Sequence, residues 1–223
     1  MSRYDRLLSL STFSEEKLKL LQSKNVLVIG AGGVGQHVLT YLITNGILKS
    51  TFVDFDDVEL SNLNRQILLS EEDVGKTKTA IVKKALLKKN KTAQIKVFNL
   101  KVGKNNVKEL IKENFDLVID AVDNWDTKLI IAKEAKNKNI PFLHVGVDGT
   151  SGQWALFKEK SLLDVVDNSI TKEPRDGVMG PMVGLISSFA SLLALKYLSG
   201  DEVEVDTLYH SNQNTENIIK IKL

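Results

Sequence analysis

Val26-Leu-Val-Ile-Gly30-Ala-Gly32-Gly33-Val-Gly35 is the stretch that decides the fold. Its four apolar residues read as a short strand buried on both faces, and the glycines end that strand. Directly behind them, Val34 to Thr44 carries apolar residues at helical spacing. The product is strand, glycine turn, helix. Glycines there let a ligand approach the backbone closely, and the first turn of the helix offers unpaired N–H groups and a partial positive charge. This context, more than the glycine pattern alone, points to bound phosphate.

Working outward, the same rhythm continues. Ser14, followed by Glu15-Glu-Lys17 and leucines at 18, 20 and 21, reads as half of a capping box opening a short helix. Ser50–Asp54 is a second strand, and an acidic residue at its end is placed to bind ribose hydroxyls. Asp56–Ser70 is polar and irregular, hence a loop. Helices follow at Lys76–Lys89, Asn105–Glu113 and Asp126–Lys138, alternating with strands at Gln94–Phe98, Asp116–Asp120 and Pro141–Val147. Such alternation predicts an α/β fold: a Rossmann-like open, mainly parallel sheet with helices on both faces. After Gly149 the rhythm changes. A strand at Gln153–Phe157, a polar loop at Ser161–Asp176, an apolar helix over 178–198 and strand-like segments at Glu204–Tyr209 and Asn217–Leu223 predict a C-terminal antiparallel extension. With no repeat and no linker-like run, residues 1–223 are expected to form a single domain. It comprises an N-terminal arm and helix (1–24), a nucleotide-binding core (25–149) and the extension (150–223).

Composition narrows the function. The 223 residues are 43% hydrophobic and 26% charged, ordinary for a globular protein. Lys and Arg number 30 against 28 Asp and Glu, so the net charge of +2 makes no case for nucleic acid. There is no cysteine, which excludes disulfides, thiolate zinc sites and a cysteine nucleophile within this sequence. Only four of the basic residues are arginines: Arg3, Arg6, Arg65 and Arg175. A chain that prefers lysine yet spends an arginine points to a need for its planar fork. Met1–Arg6 is charged and lacks an apolar leader, so no signal peptide is expected. The uncharged run Val178–Leu195 meets the length of a membrane span, but glycine, proline and serines dilute it; a buried core or interface helix, in a cytoplasmic protein, is the expectation.

Ser61-Asn-Leu-Asn-Arg65-Gln66 follows the acidic strand end Asp54-Phe-Asp-Asp57, and so faces the carboxyl ends of the strands where open sheets bind ligands. Asn62 and Arg65 suit a triphosphate, and Gly75-Lys-Thr-Lys78 opens the next helix with Lys78 near the same phosphates. Asp123 follows the strand at 116–120 and can supply the single carboxylate that Mg²⁺ needs beside phosphate oxygens. Asp120 competes for that role, although its place at the strand end suggests a buried, structural carboxylate. Asn124 is either part of the site or an N-cap of the next helix. The histidines, His37, His144 and His210, form no evident dyad with a carboxylate; His144, in an apolar strand, reads as a satisfied core residue. The glycine loop by itself does not choose between a dinucleotide and ATP.

The run Asn25–Lys78, with Gly30-Ala-Gly-Gly-Val-Gly35, Asp54-Phe-Asp, Ser61-Asn-Leu-Asn-Arg-Gln66 and Val74-Gly-Lys-Thr-Lys78, resembles the MoeB/ThiF/HesA adenylyltransferases, relatives of the ubiquitin-activating enzymes. The likeness extends to Arg3-Tyr-Asp-Arg6, Asp123-Asn124, Gly177-Val-Met-Gly-Pro181 and the terminal strands, nearly the whole chain. The resemblance implies ATP- and Mg²⁺-dependent adenylation of the C-terminal carboxylate of a small ubiquitin-like sulfur carrier ending in Gly-Gly. It assigns Gly30, Gly32, Gly33 and Gly35 to the nucleotide, Asp54 to the ribose, and Ser61, Asn62, Arg65 and Lys78 to the phosphates. Asp123 holds the metal, with Asn124 beside it. Arg6 resembles an arginine that reaches into a neighbouring subunit's site, implying a homodimer, and the loop 158–176 takes the place of a partner-binding loop.

The departures matter as much. Members of the MoeB type carry two Cys-x-x-Cys pairs for a structural zinc, and some use a cysteine covalently; this sequence has neither, so no zinc is expected. Activation then stops at the acyl-adenylate, with sulfur supplied by a separate sulfurtransferase. Other readings are activation of a different carboxylate, as in tRNA-modifying or peptide-modifying relatives, a non-catalytic scaffold half of a heterodimeric activator, and an NAD-dependent dehydrogenase. No membrane or nucleic-acid partner is expected.

Overall fold

The computed structural model describes residues 2–112, 114–166, 177–213 and 217–223. Its strands are β1 (Asn25–Ile29), β2 (Lys49–Asp54), β3 (Gln94–Asn99), β4 (Leu117–Asp120), β5 (Phe142–Asp148), β6 (Ser151–Phe157), β7 (Thr207–Asn212) and β8 (Ile219–Lys222). The helices are α1 (Asp5–Leu8), α2 (Glu15–Ser23), α3 (Gly33–Thr44), α4 (Lys78–Lys89), α5 (Val107–Leu110), α6 (Trp125–Asn137) and α7 (Gly180–Leu198). One mixed sheet runs β3-β2-β1-β4-β5-β6-β7-β8. The first five strands in that order pair in parallel and the last three antiparallel, which is the predicted Rossmann-like sheet with its extension.

Alternate residues of the central strands serve opposite layers. Val26, Val28 and Phe52 pack with Val38 and Leu42 of α3, Val82 and Leu86 of α4, and Ile186 and Ala190 of α7. Leu27, Ile29 and Val53 pack with Leu110 of α5 and with Ile131 and Ala135 of α6. A strand buried on both faces must be apolar throughout, and that is why β1 shows no alternation in the sequence. In the extension, Trp154 of β6 stacks between Phe189 of α7, 4.9 Å away, and Tyr209 of β7, 5.4 Å away.

Most predicted elements lie within a residue or two of their observed places. Ser14 caps α2 by accepting the Lys17 N–H at 3.3 Å. The helix expected over Asn105–Glu113 shrinks to Val107–Leu110, and Glu113 lies outside the described residues. The strand expected at 204–209 begins only at Thr207, because Asp206 is committed to a turn. Its φ is +53°, and its carboxylate accepts the N–H groups of Lys158, Glu159 and Lys160 at 3.0, 3.2 and 3.1 Å. Of the loop 158–176, the described part contains a Ser161-capped 3-10 turn at Leu162–Asp164; 167–176, including Arg175, lie outside the described residues. Helix α7 has the length and apolarity of a membrane span, and its Met182, Ile186, Ala190, Ala194 and Leu198 belong to the hydrophobic core.

Candidate active site

The glycine loop crosses the carboxyl end of the sheet under tight steric constraint. Gly30 has φ +100°, and a Cβ there would lie 2.5 Å from the Ala121 carbonyl oxygen. At Gly35 a Cβ would meet the Gly30 carbonyl oxygen at 2.0 Å, so only glycine lets α3 sit this close to β1. Gly32 is the N-cap of α3, and helix geometry leaves the N–H groups of its first turn without intrahelical acceptors. They face the side where the loops after β2 and β4 converge.

Asp54 closes β2 and is bound to that loop. Its Oδ2 accepts the Ala31 N–H at 2.7 Å and its Oδ1 the Asp56 N–H at 2.9 Å. Lys78, the first residue of α4, is 3% exposed. Its Nζ lies 3.0 Å from Asp56 Oδ2 and 3.8 Å from Asp54 Oδ1. Its position is fixed by β-bridge pairing between Asp57 and Thr77 and by its own N–H donating to the Asp56 carbonyl at 3.1 Å. The ribose and phosphate candidates of the sequence are thus neighbours.

Arg65 comes in from the other side. A Cβ on Gly33 would lie 3.3 Å from Arg65 Cγ, so the arginine passes directly over the start of α3. Its Nη1 donates to the Ser61 carbonyl and to Asn64 Oδ1, both at 2.9 Å, leaving Nε and Nη2 for a ligand. Gly177–Pro181 is explained here as well: the Gly180 position comes so close to the Asn64 carbonyl that a Cβ would stand 2.4 Å away, so the N-terminus of α7 braces the arginine turn.

Two polar residues hold structural posts as well. Asn62 is buried, and its Oδ1 caps the 3-10 turn Leu60–Asn62 by accepting the Glu59 N–H at 3.2 Å, while its Nδ2 is the group left to face a phosphate. Asn124 is the N-cap of α6, accepting the Thr127 N–H at 2.9 Å, as the second of its two sequence readings had it. Ser61 is exposed, with its hydroxyl on Glu59 at 3.1 Å.

Asp123 is exposed in the turn whose Ala121 and Val122 meet Gly30, and its Oδ1 lies 3.4 Å from Asn124 Nδ2. A carboxylate this lightly engaged fits a Mg²⁺ ion that takes most of its other ligands from phosphates and water. No cluster of three or more acidic or histidine ligands exists among the described residues, so an all-protein cage is not the arrangement here. Asp120 is removed as a competitor. It is fully buried and already accepts from Lys128 Nζ at 3.0 Å, His144 Nδ1 at 3.0 Å and the Val122 N–H at 3.2 Å.

That contact corrects the expectation that no histidine pairs with a carboxylate. Burial pushes the His144 imidazole below its ordinary value, the Lys128 ammonium adds to this, and the Asp120 hydrogen bond opposes it. Burial alone would raise Asp120, but Lys128 and the His144 N–H hold it below the usual carboxylate range. His144 is therefore a neutral core residue, as its apolar strand suggested, and not a proton carrier for a ligand. His37 is likewise taken, with Nδ1 2.8 Å from the Gly33 carbonyl.

Sequence reasoning missed the glutamines that tie the loops together. Gln36 donates to the Ala31 carbonyl at 2.9 Å and to Gln66 Oε1 at 3.1 Å, and accepts the Leu68 N–H at 2.9 Å. A lone glutamine within the apolar stripe of α3 was the available signal. Arg6 is not brought to this site. It lies exposed on α1, three residues from Arg3, whose Nη1 donates to the Lys89 carbonyl at 2.6 Å. Lys89 ends α4 while Lys78 begins it, so the Arg3 contact lies about 16 Å along the helix from Lys78.

The chain matches the ThiF family over residues 4–223. It is 32% identical over 208 residues to a probable molybdopterin-synthase adenylyltransferase of Porphyra purpurea, covering 89% of this chain and 54% of that protein. It is 29% identical over 213 residues to the sulfur carrier protein adenylyltransferase of Thermus thermophilus, covering 90% of this chain and 78% of that protein. The chain thus spans little more than half the length of the first of these relatives. In fold it resembles the crystal structure of E. coli MccB with ATP, with a TM-score of 0.88 and 21% identity over 99% of this chain and 71% of that one.

Proposed function

This chain belongs to the ThiF family, and from that membership we propose that it is an adenylyltransferase that uses ATP and Mg²⁺ to activate the C-terminal Gly-Gly carboxylate of a small ubiquitin-like sulfur carrier. The observation that carries this reading is the convergence of Arg65, Lys78, Asp123 and the N-terminus of α3 on one glycine loop, with His37 and His144 both committed elsewhere. Relatives named as sulfur carrier and molybdopterin-synthase adenylyltransferases support the substrate class.

The chemistry suits such a site. A carboxylate oxygen attacks the α-phosphorus of ATP, the bond to pyrophosphate breaks, and an acyl-adenylate forms. A carboxylate is already ionised at neutral pH, so no general base is required. What the protein supplies is alignment and compensation of phosphate charge. The amides of the α3 first turn and the free donors of Arg65 receive phosphate oxygens, and Asp54 receives the ribose hydroxyls. Lys78 exchanges its contact with half-exposed Asp56 for a phosphate as the nucleotide enters. Asp123 holds the Mg²⁺, which when bound neutralises charge on the phosphates. Arg6 completes the site of a second copy in a homodimer, the acyl-adenylate passes to a separate sulfurtransferase, and the reaction takes place in the cytoplasm.

ATP–pyrophosphate exchange with and without a Gly-Gly-terminated carrier tests the proposal. Exchange that never depends on such a protein but follows a small carboxylate or a tRNA would replace it with one of the other carboxylate-activating readings.

A further inference from the structure

The turn between β4 and α6 stands on a buried ionic platform that the adenylation chemistry does not use. Lys128, one turn into α6, is 4% exposed and sends its Nζ to Asp120 Oδ2 at 3.0 Å and to the Val145 carbonyl at 2.9 Å. Asp120 uses its other oxygen, Oδ1, to accept the Val122 N–H at 3.2 Å. On the far side, His144 Nδ1 meets the same Asp120 Oδ2 at 3.0 Å, and His144 Nε2 takes the Gln153 side-chain amide at 3.1 Å. The Trp125 ring stacks on His144 at 5.7 Å.

Stability is a poor reason for such a pair, because buried ions cost more to desolvate than they commonly return, and apolar replacements are often as stable or more so. What the platform does hold is geometry. The Ala121 N–H donates to the Ile29 carbonyl at 2.8 Å, Val122 hangs on Asp120, and Asn124 caps α6. Asp123 is the residue between those fixed points, and its own side chain is nearly free. Among the described residues Lys128 is the lysine paired with Asp120, and that pair fixes the carboxylate whose other oxygen holds the Val122 amide.

We propose that Lys128 is a positioning residue for the metal turn: acting through Asp120 and the Val122 amide, it sets the direction of the Asp123 carboxylate, and His144 with Gln153 anchors that setting to β6 of the antiparallel extension. The proposal rests on the reading of Asp123 as the ligand of a metal–nucleotide complex. It assigns Lys128 no contact with ATP.

The test uses Mn²⁺ as a paramagnetic probe, titrated by electron paramagnetic resonance into the full chain saturated with ATP. The variants are Asp123→Ala, Lys128→Met, Lys128→Arg and the double replacement Asp120→Leu/Lys128→Met. Lys128→Met leaves Asp120 unpaired and is exposed to misfolding; the double replacement removes both charges but takes the acceptor from His144 Nδ1 and the Val122 N–H, so thermal melting first shows that each variant is folded. Both are expected to weaken Mn²⁺ binding by roughly 10-fold or more, the scale seen when an outer partner of a metal ligand is lost. ATP affinity measured in EDTA should stay within about twofold of wild type, and Lys128→Arg should regain much of the Mn²⁺ affinity. Hydrogen exchange of the Val122 and Asp123 amides should speed up while that of β1 does not. A double replacement that keeps both its stability and its Mn²⁺ affinity overturns the positioning role alone. Should Asp123→Ala bind Mn²⁺·ATP as wild type does, the metal assignment falls, and this inference with it.

Discussion

At the scale of single residues, the site separates charges that act on the ligand from charges that hold the scaffold. Arg65 has two of its donors occupied by its own turn and presents the rest over Gly33. Its replacement by alanine should lower ATP–pyrophosphate exchange by roughly 10²- to 10³-fold, the usual cost of one preorganised charge contact, with an unchanged melting temperature. Steady-state exchange and thermal melting together check this. Lys78 differs because it is buried against Asp54 and Asp56. Lys78→Ala should lose exchange to a similar degree and also melt earlier, since buried Asp54 and half-exposed Asp56 lose their shared cation. As candidates, Lys78, Asp54 and Asp123 were legible in the sequence because each is a charge at or just after the carboxyl end of a strand or at the start of a helix, and Arg65 because it is one of only four arginines, in the loop between them. The capping duties of Asn62 and Asn124 were only half legible. An asparagine that binds a phosphate and one that binds a backbone N–H look alike until the course of the chain is known. Lys128 was not legible at all: a lysine in a lysine-rich chain carries no signal until Asp120 is seen beneath it.

At the scale of elements, the contact between α3 and β1 is the least forgiving. With the Gly30 carbonyl 2.0 Å from where a Cβ would stand, Gly35→Ala must push the helix off the strand. An overpacking cost of about 1–3 kcal/mol or more is expected from denaturant unfolding, together with loss of nucleotide binding. The platform under the β4–α6 turn makes a second prediction. His144 is held below its ordinary value in the folded protein, while in the unfolded chain it titrates near its usual value of about 6.5. The folded state then binds fewer protons, so this contribution to stability is complete above about pH 6.5 and is lost as pH falls toward the folded value. The melting temperature should be flat from about pH 8 to 7 and fall below about pH 6.5, and His144→Asn should show a shallower fall over that window. An unchanged slope would mean that another group titrates there. The parallel core was readable because doubly buried strands are continuous apolar runs. The extension was less so: β7 starts late because Asp206 is taken by three backbone amides of a segment far away in sequence, which no local pattern announces.

At the scale of the whole molecule, Asp54, Lys78 and Arg65 lie around the glycine loop, whereas Arg6 lies on the arm whose Arg3 contacts the far end of α4. If Arg6 serves a second copy, Arg6→Ala and Arg65→Ala should each be inactive alone, and mixing the two should restore exchange through hybrid dimers with one intact site. Failure of the mixture to recover, in a protein shown to be dimeric by sedimentation, would make Arg6 a surface charge. On the proposed function adenylation is the central step, and the sequence contains no cysteine that could carry sulfur covalently. ATP–pyrophosphate exchange by the purified chain, measured with a small ubiquitin-like protein ending in Gly-Gly and with the same protein lacking those two residues, tests that claim most directly. Exchange that requires Mg²⁺ and the intact terminus is the predicted result; exchange indifferent to the carrier, or none with any Gly-Gly-terminated carrier, would contradict it.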